Sequence, residues 1–329
     1  MSIKKTGIIL SVCIPTYNRE KYLDICLGQF CKAVAAYPGK IELIVSDNCS
    51  SDGTAGVVEK YQAEGHPIQF IRNPENIGAD RNITGCLSHC SGEYTWVFGD
   101  DDLLLDGKLP VIMSLLESGR IFSFLYLGNY WFGSEYFTGL PGDDKVSKPV
   151  IYDDKKAFFK RVNIWTTFLS AGIIHKSAFE KIDTREFAGS NLNHLQWVLN
   201  AVFSGGPCVY VEGYIIACKG DNTGGYSLFE TFGTNLNNIL STMEKKGLLP
   251  EWVSKTFNYH IIKDFMPLYC IRYRQGRLKG FKNEPSPFPP LKKLYKKHLV
   301  YWLILFPVLT LPVFLAKKYY FGLKKIKLI

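Results

Sequence analysis

Apolar residues run almost without interruption over 8–14, as expected of a strand buried on both faces of a parallel sheet, and Pro15 predicts its end. A helical pattern follows over 20–36. A second apolar run at 41–45 leads into Ser46, Asp47 and Asn48, with a capped helix from about Asp52. The alternation repeats as strand 68–71, helix 78–89 and strand 94–98. Four strands separated by helices predict a βαβ series, hence an α/β fold with a mostly parallel, Rossmann-like sheet flanked by helices. Right-handed crossovers line the strands' carboxyl ends along one edge, outside which ligands bind. Polar residues collect there: Pro15-Thr16-Tyr17-Asn18-Arg19, Asp47-Asn48, Arg72-Asn73 and Gly99-Asp100-Asp101-Asp102.

Beyond residue 103 the periodicity weakens. Helices are expected at 108–118, 154–162 and 192–203, an aromatic β-rich stretch at 121–137, a turn at Gly142-Asp143-Asp144 and a strand pair at 208–218. Prolines over 281–290 predict a linker. These patterns divide the chain into an α/β domain, 1–240, with halves 1–105 and 106–240; a helical extension with linker, 241–290; and a Lys-rich amphiphilic segment, 291–329.

Charge sharpens the picture once it is located. The chain of 329 residues carries a net charge of +9, yet 291–329 holds nine Lys and no Arg, Asp or Glu. The remainder is neutral, which argues against nucleic acid as a partner. Nine cysteines, several in apolar runs, suit a reducing compartment, and 1–7 lacks the apolar stretch of a signal peptide. Cys86, His89 and Cys90 fall within about one helical turn without a second pair, a poor zinc pattern. Neither G-x-G-x-x-G after the first strand nor a P-loop is present.

Three adjacent carboxylates repel one another, and a divalent cation would offset that: Mg²⁺ or Mn²⁺ takes one or two carboxylates, with phosphate oxygens and water completing the octahedron. A solvated acidic turn before Leu103 is the plainer alternative. The run Ser11 to Arg19, then Val45-Ser46-Asp47-Asn48 through Asp52-Gly53-Thr54, then Asn76-Ile77-Gly78 with Arg81-Asn82, then Gly92-Glu93-Tyr94 leading to Asp100-Asp101-Asp102, resembles the family 2 glycosyltransferases of the GT-A fold.

That resemblance implies a nucleotide-diphosphosugar donor, a divalent metal and inversion at the anomeric carbon. It places Pro15, Thr16, Tyr17, Arg19 and Asp47 around the nucleoside, Arg81 near the base or diphosphate, and Asp100 near the ribose or a metal-bound water. Asp101 becomes the metal-binding catalytic carboxylate. Gly99 stands at the first position of the family's D-x-D signature, and Asp100 and Asp102 form a literal D-x-D, so Asp102 is a second metal candidate. A carboxylate base is expected about 90 residues later, where this chain has Gly189 to Trp197 and none. His194 is the substitute, because imidazole accepts protons near neutrality; a packing or capping His is the alternative, and Asp183 and Glu186 lie upstream. The run 219–227 resembles a donor-closing loop, with Lys219 toward the diphosphate.

Residues 299–316 are uncharged and bounded by lysines. As one helix they would reach about 27 Å, barely a bilayer core, and Pro307 and Pro312 interrupt them. With lysines on both sides, the segment fits better lying on an anionic surface at the cytoplasmic face of the inner membrane, peripheral or monotopic; a soluble core helix is the alternative. The aromatics Tyr130, Trp131, Phe132, Tyr136 and Phe137 are candidates for stacking on acceptor sugars or for the core. Together the sequence predicts a metal-dependent glycosyltransferase acting on a saccharide acceptor, polyprenyl-diphosphate-linked, in surface-polysaccharide synthesis. The alternatives are a sugar nucleotidyltransferase and a non-catalytic nucleotide-sugar binder at a membrane.

Overall fold

In the computed structural model, residues 7–133, 148–179, 182–220, 225–278, 281 and 286–326 are described. Tyr136, Phe137, the 142–144 turn and 221–224 of the expected closing loop lie outside them. The chain forms two compact units, 1–220 and 221–329.

The strands of the first unit are β1 (Leu10–Thr16), β2 (Ile41–Asp47), β3 (Ile68–Arg72), β4 (Tyr94–Val97), β5 (Leu103–Leu104), β6 (Phe124–Phe132), β7 (Pro149–Tyr152), β8 (Gly172–His175) and β9 (Cys208–Lys219). They make one sheet in the order β3-β2-β1-β4-β8-β6-β9-β5, with β7 on β9. Pairing is parallel from β3 to β4, and β8 is antiparallel to both β4 and β6. Helices α1 (Glu20–Val34), α2 (Thr54–Ala63), α3 (Ala79–Leu87), α4 (Leu109–Leu116), α5 (Lys155–Val162) and α6 (His194–Ser204) cover the sheet.

Continuous apolarity in β1 reflects two cores. Val12 and Ile14 pack in one with Leu23, Leu27 and Phe30 of α1, whereas Cys13 points into the other with Trp197 and Val198 of α6. All are essentially inaccessible to water, which is why the strand tolerates no polar face.

Two expectations are corrected. β1 does not end at Pro15: Pro15 pairs with Ser46 and Thr16 with Asp47. Pairing to β4 has already stopped at Cys13 and Val97, so the missing proline N–H costs no ladder bond. The expected strand pair at 208–218 is one long strand, β9, which runs parallel to β6 with a register shift between Leu127 and Asn129. Gly128 fits that irregularity because a Cβ there would collide with the Gly213 carbonyl.

The second unit is helical: α7 (Leu236–Lys245), α8 (Glu251–His260), α9 (Met266–Arg274), α10 (Phe288–Tyr295), α11 (Phe306–Thr310) and α12 (Val313–Lys325). Phe288 to Pro290, expected in a linker, form the first turn of α10, where proline loses no hydrogen bond. Pro307 does not break its helix either. A π-helical turn, Tyr301–Leu305, precedes α11 and absorbs it, as Ile261–Phe265 does for Pro267 in α9. The chain turns extended only at Leu311, ahead of Pro312.

The 291–326 segment is part of this unit's core and not an appendage. Leu291, Tyr295, Tyr301, Leu305, Val308 and Tyr320 are buried. Arg274 donates to the carbonyls of Val308 and Leu311, and the Tyr320 hydroxyl donates to that of Lys263. Among the described residues, no helix is long and apolar enough to cross a membrane.

Candidate active site

The carboxyl ends of β1, β2 and β4 meet where the parallel half of the sheet adjoins β8. After β4, Gly99 leads into Asp100, Asp101 and Asp102, each about 5% exposed. Arg19 Nη1 lies 2.6 Å from Asp101 Oδ2 and 3.3 Å from Asp100 Oδ1. Asp102 accepts from the Ser170 hydroxyl at 2.6 Å and from the Lys219 backbone N–H at 3.1 Å. Ser170 in turn accepts from the Gly99 N–H at 2.9 Å. A Cβ on Gly99 would sit 3.2 to 3.3 Å from Asp102, Ser170 and Asp101 oxygens, so this position is nearly filled by the cluster itself.

Burial, with Asp101 adding repulsion against the opposing pull of Arg19, pushes Asp100 up to about 7. Burial and the same neighbour push Asp102 to about 8, although Ser170 and the Lys219 N–H oppose it. Near neutral pH, Asp100 and Asp102 therefore take up protons unless a further cation stands beside them.

On the β1 and β2 side, Asp47 is fully buried. Its Oδ1 accepts from the Ser50 N–H at 3.0 Å and from the Ser50 hydroxyl. Cys49, at φ 66°, makes the tight return that this requires. Among the described residues Asp47 Oδ2 is buried without a hydrogen-bond partner, Arg72 Nε approaching it to 3.4 Å without hydrogen-bond alignment, while the Thr16 hydroxyl on the register-paired residue is turned toward Asp100. An orphaned buried acceptor is what a donor on a bound polar ligand would satisfy. Tyr17, next to Thr16 in sequence, is 43% exposed. Behind the loop, Asn48, Asn73, Asn76, Asn82 and Ser46 form a side-chain network.

The remaining expected residues divide. Lys219 is buried, with Nζ 5.7 Å from the Tyr22 ring, and Arg19 Cζ lies at the same distance. Arg81 is exposed on α3, whereas its neighbours Asp80 and Asn82 are buried and carry the contacts. His194 opens α6 at 7% exposure, and its Nε2 is 2.9 Å from the Thr167 carbonyl. A carbonyl only accepts, so Nε2 holds the proton and Nδ1 the lone pair. Burial holds the imidazole below its ordinary value, against weaker upward pulls from Thr167 and Asp80. Asp183 and Glu186 are exposed.

Sequence reasoning missed Ser170, Tyr22 and Asp80. Ser170 reaches the triplet from a pair of 3₁₀ turns, Asn163–Thr167 and Leu169–Ala171. Asp80 Oδ2 accepts from the N–H groups of Gly189 and Asn191 at 2.8 and 2.9 Å, and so fixes the approach to α6. The sequence does not set Asp80 apart, because its buried neighbours on α3, Asn82 and Thr84, are polar as well. Among the described residues, no three His, Cys, Asp or Glu are grouped to hold a metal. A cavity of about 830 Å³, lined by Ile9, Cys90, Glu93 and Lys176, lies at the sheet's opposite edge and contains none of these groups.

A doubly wound sheet with a buried acidic cluster after its fourth strand defines a GT-A glycosyltransferase architecture. The chain belongs to glycosyl transferase family 2, whose profile matches residues 11–183, and it is a glycosyltransferase. The abequosyltransferase RfbV of Salmonella typhimurium is 28% identical over 230 residues, 65% of this chain and 68% of that protein. The GalNAc(5)-diNAcBac-PP-undecaprenol beta-1,3-glucosyltransferase of Campylobacter jejuni is 32% identical over 145 residues, covering 42% of this chain and 46% of the relative. The crystal structure of Staphylococcus aureus TarS 1–349 with UDP-GlcNAc matches the fold with a TM-score of 0.61 at 16% identity, over 97% of this chain and 92% of that one.

Proposed function

We propose that this enzyme moves a hexosyl or deoxyhexosyl unit from a nucleotide-diphosphosugar to a saccharide carried on a polyprenyl diphosphate, with inversion, at a membrane surface. The observation that carries this reading is the packing of three buried carboxyls, Asp100 to Asp102, at the same sheet edge as the unpartnered Asp47 Oδ2. Asp47 would accept from the nucleobase, and Tyr17 and Pro15 would flank it. A relative named for a PP-undecaprenol substrate supports a sugar acceptor on a lipid carrier, and one named for abequosyl transfer supports transfer of a glycosyl unit.

The donor set is all oxygen and anionic, which fits Mg²⁺ or Mn²⁺. Asp101 and Asp102 would hold the ion, which when bound stabilises negative charge on the departing diphosphate. Arg19 and Lys219 add fixed positive charge to the same position. His194, with its lone pair on Nδ1, is the candidate to take the acceptor hydroxyl's proton.

Membrane attachment is supported by the second unit's surface. Leu299, Trp302, Leu303, Phe314, Leu315 and Phe321 remain more than 40% exposed among lysines. A panel of UDP-, GDP-, dTDP- and CDP-hexoses with Mn²⁺ tests the central claim. One donor should raise the melting temperature and be slowly hydrolysed, and Asp101→Ala should abolish turnover while remaining folded. Full activity in Asp101→Ala overturns the metal role; no donor bound by the wild type overturns the whole reading.

A further inference from the structure

The described aromatics of 121–137 separate in the fold: Phe132 is buried, but Trp131 is 48% exposed. Its partner comes from elsewhere in the chain. Trp165, on the Asn163–Thr167 turn and 45% exposed, has its ring centroid 6.3 Å from that of Trp131, and the half-buried Phe168 lies 5.2 Å from Trp131. Leaving two indoles half in water is costly for a fold that buries Trp96 and Trp197.

The position of this pair is tied to the acidic cluster at both ends. Trp131 pairs in register with Cys218, next to Lys219, whose N–H holds Asp102. Phe168 is two residues from Ser170, which holds the other Asp102 oxygen. The sheet order then decides the side. Thr16 and Asp47 end β1 and β2, on one flank of β4; Trp131 and the turn before β8 stand on the other flank. A donor whose base is at Asp47 and whose phosphates are at the triplet leaves this second flank to the incoming acceptor.

We infer that Trp131 and Trp165, backed by Phe168, form the platform on which a pyranose ring of the acceptor stacks its apolar C–H face. This rests on the glycosyl-transfer reading above and adds the acceptor subsite to it. Large aromatic faces beside a few fixed polar groups are the usual means of gripping a sugar ring, because the ring is polar at its rim and apolar on its faces.

Saturation-transfer NMR on the full chain, with methyl hexopyranosides and methyl N-acetylhexosaminides as probes, tests the subsite without requiring turnover. The wild type should transfer saturation to the ring protons of at least one probe. Trp165→Ala and Trp131→Ala should each weaken that probe's binding at least tenfold, and Trp165→Phe should recover part of it. Thermal melts check that the variants remain folded. No saturation transfer to any probe by the wild type, or equal binding by both Ala variants, overturns the inference. Hydrolysis of nucleotide sugars by the wild type is scored separately, so failure of the enzyme reading is distinguishable from failure of the platform.

Discussion

Arg19 and Asp101 form the shortest ion pair of the acidic cluster, Nη1 to Oδ2 at 2.6 Å, and the same nitrogen reaches Asp100 at 3.3 Å. The loop after β1 is thereby tied to the loop after β4, and a fixed monocation stands against three carboxylates. Arg19→Met should lower the melting temperature in metal-free buffer. About a quarter of the Arg19 side chain is exposed, so the loss should be smaller than the roughly 3–5 kcal/mol of a fully buried pair. Added Mn²⁺ should restore more stability to the variant than it adds to the wild type. Equal Mn²⁺ responses would show that the ion and Arg19 do not serve the same charge.

Ser170 is a positioning residue whose hydroxyl donates to Asp102 and accepts from the Gly99 N–H. Ser170→Ala removes one donor from buried Asp102, which keeps the Lys219 N–H, and the acceptor of the part-buried Gly99 N–H, at a cost of about 1–3 kcal/mol of stability. If Asp102 binds metal, the half-saturating Mn²⁺ concentration for turnover should also rise, and Ser170→Thr should recover part of it. A variant that melts lower but keeps its Mn²⁺ dependence would confine Ser170 to a structural role.

His194 makes a pH prediction. Its folded value lies below the ordinary 6.5 because burial disfavours imidazolium. Below about pH 6.5 the unfolded chain binds a proton that the folded chain refuses, so stability present above that pH is lost as pH falls. Asp100 and Asp102, raised to about 7 and about 8, act in the opposite sense over the same range, so the check is a difference: the stability of wild type relative to His194→Gln in denaturant melts should fall as pH falls from 7 to 5. If His194 is also the base, the variant should lose activity at every pH, by roughly 10²–10⁴-fold. An unchanged rate would move the base elsewhere.

The donor half was legible because buried parallel strands write themselves as unbroken apolar runs, each followed by polar residues at one edge. The triplet was legible because like charges in sequence demand an explanation. Ser170 was not, since it meets the site only through tertiary packing, 68 residues from Asp102. Pro15 and Pro307 were misjudged for a shared reason: proline breaks an element only where its N–H was needed, and one faced a ladder that had already ended while the other followed a π-helical turn. Residues 299–316 could not be sorted because an apolar side chain reads the same whether it meets protein or lipid.

The structure does sort that segment, and it changes the experiment. Removing 291–329 would take Leu291, Tyr295, Tyr301 and Tyr320 out of the second unit's core, so a soluble truncation would report unfolding as readily as detachment. The outward residues can be altered separately. Trp302, Leu303, Phe314 and Leu315 are 41–61% exposed, and replacing all four with Ser should leave the melt within a few degrees of wild type. Inserting such side chains into an interface contributes up to about 1.5–3 kcal/mol each when fully buried, and each lysine near an anionic surface about 1 kcal/mol. Wild type should therefore sediment with phosphatidylglycerol vesicles and be only partly released by 0.5 M salt, whereas the fourfold Ser variant should remain in the supernatant. Glu at Lys317 and Lys318, both exposed, should weaken binding to anionic vesicles alone. Sedimentation of the fourfold variant at the wild-type level would place any membrane contact on another surface.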